Sequence, residues 1–75
     1  MFKIGDRVVG VGRCDGLDLT GLVGVIKVFH GPDEHFGVEF KERKKDFHTL
    51  SGSCSEGYGW WCPEKNLRPM EIVNV

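Results

Sequence analysis

Apolar residues in this chain alternate with polar ones in short runs broken by glycine, and no helical spacing persists over as many as eleven positions. Val8-Val9-Gly10-Val11, following Gly5-Asp6, predicts a first strand. Residues 13–20 predict a loop. Leu22 to Phe29 is dense in β-branched side chains and is the strongest strand prediction. The Gly-Pro-Asp content of His30 to Glu34 predicts a turn. His35 to Phe40 alternates apolar and polar, predicting a third strand in a hairpin with the second. Lys41 to Ser55 is charged and then Ser/Gly-rich, as in a long loop or a distorted hairpin arm. Tyr58 to Cys62 predicts a fourth strand. Pro63 has no N–H for a ladder, so Pro63 to Asn66 predicts one helical turn before a closing strand from Leu67 to Val73. The inward set of this pattern is Val8, Ile26, Val28, Val38, Phe40, Trp60, Cys62 and Leu67.

Five short strands with one 3-10 turn before the last predict an all-β domain over residues 1–75. The expected form is a small five-stranded half-open barrel, an arrangement that limits exposed strand edges. A chain of 75 residues buries only about 60% of its unfolded surface, and eight aromatics help to fill so small a core. Ten basic residues against eleven acidic ones give a formal charge of -1. Such a balance lacks the basic stripe of an electrostatic nucleic-acid binder, and equally the charge of a polyanion mimic. No run approaches the roughly 20 apolar residues of a membrane span, and Met1 to Arg7 lacks a signal-peptide core. Three cysteines without paired spacing suit a reducing compartment, so the expected location is cytoplasmic.

Gly57-Tyr58-Gly59-Trp60-Trp61-Cys62-Pro63-Glu64-Lys65-Asn66-Leu67 resembles the strand, 3-10 turn and strand that close SH3 domains. Lys3 to Val8 resembles the opening strand of bacterial SH3-like modules. Gly21 to Ile26 followed by Gly37 to Phe40 is similar to the KOW motif of ribosomal and elongation proteins and to the CAP-Gly domain. The whole chain also looks like small uncharacterised bacterial and phage proteins. Those carry a His-containing segment ahead of a Gly-x-Gly-Trp-Trp/Tyr-x-Pro segment, matched here by His48 to Gly52 and Gly57 to Pro63. The resemblance implies an SH3-like barrel and leaves function open. It departs from peptide-binding SH3 domains in two places. Leu67 stands where those domains keep a binding tyrosine, and the Ala-Leu-Tyr-Asp-Tyr opening is missing.

Adjacent tryptophans on a strand point to opposite faces. With Cys62 inward before Pro63, Trp60 is inward and Trp61 outward. Trp61, Tyr58 and Pro63 then form a shallow groove for an extended partner, lined from the neighbouring loop by Phe47 and His48. The plainer alternative is that Trp61 is covered by the 41–55 loop. The reading is a non-enzymatic protein- or peptide-interaction module, either an accessory protein or an inhibitor of a host factor. A second copy of the chain is another candidate partner, through the same face or an open sheet edge.

The alternative function is RNA or DNA binding through Lys41, Arg43, Lys44 and Lys45 with an aromatic, as in KOW-type barrels. Glu39, Glu42 and Asp46 dilute that cluster, and edge-protecting lysines explain it equally. For metal, His48-x5-Cys54 and Cys54-x7-Cys62 lack the close pairs of structural zinc sites, and Cys14 stands apart. No metal or cofactor is expected, although a His48–Cys54 contact is expected to be able to pin the loop without one. Cys54 with His48 or His35 is the only thiol–base pair to consider, in a chain with little room for a substrate cavity. His30 and His35 flank the turn and are expected to face solvent.

Overall fold

A computed structural model describes residues 2–70. Within them the strands are β1 (Arg7–Gly10), β2 (Arg13–Cys14), β3 (Leu17–Asp18), β4 (Val23–His30), β5 (His35–Phe40), β6 (Gly59–Pro63) and β7 (Leu67–Pro69). Two 3-10 turns, Gly31–Asp33 and Glu64–Asn66, connect β4 to β5 and β6 to β7. The fold is all-β. An antiparallel sheet in the order β6-β5-β4-β1-β7 carries most of the chain, and β2 and β3 form a separate ribbon. No helix of residues 2–70 is long and apolar enough to cross a membrane.

Residues 13–20, expected to be a loop, contain the β2–β3 hairpin. Asp15 and Gly16 have φ of +52° and +81°, so both residues of the two-residue turn are left-handed. An Asp-Gly pair supplies that conformation at low cost and matches the twist of the flanking strands. The closing strand is shorter than expected within the described residues. It ends at Pro69, and residues 71–73 of the predicted span lie outside them.

Val8, Ile26, Val38, Phe40, Cys62 and Leu67 fill the inner side of the sheet as the alternation predicts. Leu19, Leu22, Cys14, Phe36 and Phe47 complete this core. Trp60 is half-buried and packs against it. Val28 is the exception. Ile26 pairs with Val38, but the next register position pairs Val28 with Gly37, because a bulge at Lys27 inserts one residue into β4. An extra residue reverses the phase of a period of two. Val28 therefore turns to the outer side with Gly37, and Phe29 turns back beside Phe36.

The outer side of the β5–β6 ribbon is covered by the 41–55 segment, which is a loop rather than a hairpin arm. His48 and Gly59 exchange backbone hydrogen bonds of 2.9 and 2.8 Å, fastening the loop to the free edge of β6. Leu50 then folds over the sheet. It is 1% exposed yet lies outside the main core, above the positions where Gly37 and Gly59 lack side chains. Reaching this seat requires φ of +53° at Leu50 and +56° at Ser51, a conformation that costs a non-glycine residue about 1–2 kcal/mol. The His48 ring supports the turn, its Nδ1 accepting the Leu50 N–H at 3.0 Å.

At the far side of the sheet, buried Asn66 joins the second 3-10 turn to the β1–β2 connection. Its Nδ2 donates to the carbonyls of Val11 (2.8 Å) and Arg13 (3.1 Å).

A methyl group added at Gly37 would overlap a Val28 methyl and meet Trp61 and Leu50 atoms at 3.1 and 3.2 Å. Gly37→Ala is therefore expected to lose about 1–3 kcal/mol of stability in urea unfolding. Val28→Ala in the same chain should cost less than the sum of the two single changes. Strict additivity would show that the outer cluster is not packed as described.

Candidate functional site

Trp61 leaves β6 on the outer side, directly opposite Gly37. One ring edge lies over Gly37 beside Leu50, and the residue is half-buried. Its remaining surface faces an open cavity of about 410 Å³, also lined by Asp15, His30, Asp33, His35 and Ser51. Three local structures deliver these groups. Asp15 sits in the left-handed β2–β3 turn, Ser51 in the left-handed turn after Leu50, and the remainder at the β4–β5 tip. His35 is near Trp61 because it pairs with Pro63, two positions beyond the tryptophan on β6.

The tip is held by polar contacts. His30 Nδ1 lies 3.0 Å from Asp33 Oδ2, and the His30 ring meets Trp61 edge-on at 6.1 Å between centroids. His35 Nδ1 lies 2.6 Å from the Asp33 carbonyl. A carbonyl only accepts, so that contact is a hydrogen bond donated by the Nδ1–H tautomer. His30 is exposed as expected, whereas His35 is half-buried. The cavity thus combines an indole with imidazoles, carboxylates and a hydroxyl, a mixture suited to gripping a partner segment by stacking and hydrogen bonds.

The neighbours expected for Trp61 are distributed differently. Pro63 is half-buried and lines two adjoining cavities rather than the Trp61 cavity itself. Tyr58 stands opposite Phe40, whose N–H its carbonyl accepts at 2.8 Å. It is an odd number of residues from Trp61 and so falls on the other side of the strand alternation. Phe47, expected to line the contact face, is instead buried. It stacks on Phe40 at 5.3 Å and lies 5.6 Å from Trp60, because the loop enters beneath the sheet edge before turning over it. His48 is half-buried with its ring 5.7 Å from Trp60. The surroundings of Trp61 come largely from the β4–β5 tip, where the Gly-Pro-Asp content predicts only a turn. The β5–β6 register that sets His35 beside Pro63 is a matter of pairing between distant strands, so no local sequence signal announced it.

Lys41, Arg43 and Lys45 are exposed, and Lys44 is half-buried with its Nζ 3.2 Å from Glu42. Arg43 lies across Gly57. Arg43, Lys44 and Lys45 line a separate cavity of about 410 Å³ with Phe47, Glu56 and Gly57, sharing none of the described residues with the Trp61 cavity.

Among the described residues no three His, Cys, Asp or Glu side chains are grouped to hold a metal ion. Cys54 does meet His48, but through the backbone: its Sγ is 3.7 Å from the His48 carbonyl and 3.5 Å from that of Ser55. Cys14 Sγ lies 3.7 Å from the Trp61 carbonyl, behind the strand. All three thiols are less acidic than usual. Burial raises Cys62 strongly, with Cys14 and Asp15 adding to the effect. Burial raises Cys14 and Cys54 as well, helped by the carboxylates of Asp15 and Glu39 respectively.

Comparison with protein-family models, with curated proteins and with solved structures returned no match.

A raised thiol pKa means less thiolate at a given pH and slower attack on disulfide reagents. With Ellman's reagent at pH 8, half-buried Cys54 should be modified slowly and first. Cys62 should be modified only at the rate of global unfolding, as peptide mapping of time points would show. Rapid labelling of Cys62 in the folded protein would contradict its burial.

Proposed function

We propose that this chain is a non-enzymatic protein- or peptide-binding module whose contact face is centred on Trp61. The observation that carries the reading is the position of that indole, anchored along one edge over Gly37 and otherwise facing an open, polar-rimmed cavity. A large ring held rigidly gives up little conformational freedom on binding, which is why such residues dominate interfaces. The same face could receive a second copy of the chain, and sedimentation reads that outcome directly.

The proposal includes an SH3-like half-open barrel, as the sequence resemblance implies. The antiparallel order β6-β5-β4-β1-β7 and the 3-10 turn between β6 and β7 support it. A cytoplasmic accessory protein of a bacterium or phage, or an inhibitor of a host factor, fits the resemblance and the unpaired cysteines. The lowered thiol acidities and the carbonyl surroundings of Cys54 support a binding role over thiol catalysis. Separation of the basic cluster from Trp61 weighs against a combined stacking and phosphate-binding platform for RNA.

The test is affinity capture from a lysate of the organism that encodes the chain, with wild type, Trp61→Ala and Ser51→Arg. Trp61→Ala also removes packing over Gly37, so Ser51→Arg serves as the variant that blocks the cavity while leaving the indole in place. Both should lose the captured protein by more than about tenfold, with Ser51→Arg keeping the wild-type melting temperature. Capture unaffected by Ser51→Arg would overturn the reading. Retention of single-stranded RNA at low salt, lost on changing Lys44 and Lys45 to Ala, would replace it with the nucleic-acid alternative.

A further inference from the structure

We infer that His48 is a pH-sensitive latch on the 41–55 loop: the neutral ring holds the loop over the sheet, and proton uptake by the ring releases it. The Leu50 N–H only donates, so the Nδ1 atom it reaches at 3.0 Å carries a lone pair and the ring proton sits on Nε2. A second proton has one place to go, that same Nδ1. Two donors then face each other, and the Leu50 N–H loses its acceptor. His48 itself is fixed to β6 by the two backbone hydrogen bonds it exchanges with Gly59. Beyond it the chain passes through left-handed residues 50 and 51 to seat Leu50 in the trough over Gly37 and Gly59. Such backbone persists only where its surroundings hold it, here the ring acceptor and the packing of Leu50. The loop supplies two parts of the Trp61 surroundings, Leu50 beside one ring edge and Ser51 on the cavity wall. Release of the latch takes both away from the indole.

The other groups around His48 leave the ring acceptor in control. Trp60 packs against the imidazole at 5.7 Å, and an indole attracts an imidazolium. Both partners of that contact stay with β6 when the loop lifts, so it favours neither state. Cys54 faces the His48 carbonyl at 3.7 Å, and its thiol, made less acidic by burial, stays uncharged. Glu39 accepts the Ser55 N–H at 3.2 Å and meets Lys27 at 3.5 Å. Lys45 and Asp46 are exposed and Tyr58 is half-buried, and among the described residues no ion pair joins any of these groups to His48. Carboxylates ordinarily titrate near about pH 4, so the range above pH 5.5 reads imidazoles. The docked loop takes only the neutral ring, whereas a released ring binds a proton as a free imidazole does, near about pH 6.5. Acid therefore favours release, by about tenfold between pH 7.5 and pH 5.5.

The test is amide hydrogen exchange of the ¹⁵N-labelled full chain at those two pH values, each rate divided by that of the unstructured chain at the same pH. Protection of Leu50 and Cys54, whose N–H groups bond within the loop, should fall about tenfold on acidification. In His48→Asn the side-chain carbonyl accepts the N–H two residues on and does not titrate, so protection should change by less than about twofold. Unchanged protection in the wild type would overturn the latch. So would an equal fall in His48→Asn, which would assign the effect to His30 and His35 at the β4–β5 tip. Leu50 protection equal to that of core Val38 at both pH values would overturn it too, because the loop would then open only with global unfolding. If His48→Asn does not fold, the wild-type ring decides: a long-range ¹H–¹⁵N spectrum at pH 7.5 should show the Nε2–H tautomer, and the Nδ1–H tautomer would sink the latch. No partner is needed for these readouts, and only the effect of release on binding rests on the proposed function. Capture that survives Ser51→Arg sinks the reading centred on Trp61 alone, and unchanged exchange sinks the latch alone.

Discussion

The structure depends on an absence of side chains at Gly37 and Gly59. These glycines lie on adjacent strands and leave a trough on the outer side of the β5–β6 ribbon, which Leu50 fills. A sheet of this size with one covered face buries little apolar surface. Leu50 adds a second, smaller packing layer on the opposite side of the sheet, with Val28 and one edge of Trp61 completing it. The left-handed residues at 50 and 51 are the cost of reaching that seat, and burial of a leucine, on the order of 1.5–3 kcal/mol, offsets it. The 41–55 loop is thereby a structural element in its own right, tied to β6 at His48 and closed by Cys54 over Gly59.

The bulge at Lys27 is the second constraint. Without it β4 would direct Val28 into the core and Phe29 outward. With it, Val28 joins Leu50 over Gly37, and Phe29 emerges next to Phe36 at the sheet end. One inserted residue thus supplies both the outer packing layer that supports Trp61 and the exposed Phe29 ring at the sheet end. Rigid support beneath a contact residue matters because binding then orders less of the molecule.

Charge is divided between the ends of the β5–β6 ribbon. Carboxylates of Asp15, Asp33 and Glu34 gather with imidazoles around the tip, whereas Lys41, Arg43, Lys44 and Lys45, interspersed with Glu42, Asp46 and Glu56, lie beyond the other end of β5. Near-neutral overall charge conceals this division. It gives the two ends different electrostatic preferences, and only the tip end joins its charges to open aromatic surface.

Much of the architecture was legible in the sequence. Alternation located β1, β4, β5 and β6 to within a residue or so, and Pro63 marked the turn before β7. Six of the eight core positions followed from the same period. The β2–β3 hairpin was missed in a segment expected to be a loop, although the Asp15-Gly16 dipeptide is itself a turn signal. The phase of β4 beyond Ile26 was not legible, because a bulge is fixed by how two strands pair and leaves the composition of either one unchanged. Nor was the company of Trp61. Alternation could say that one tryptophan points outward; whether Phe47 and His48 or His30 and His35 would flank it depended on the path of a fifteen-residue loop and the register of a hairpin. The sequence alone determined the longer strands, the turn at Pro63 and most of the inward set, because those follow from local period and backbone chemistry. The tertiary structure decided which side chains share the Trp61 cavity, because contacts between residues distant in the chain are set by packing.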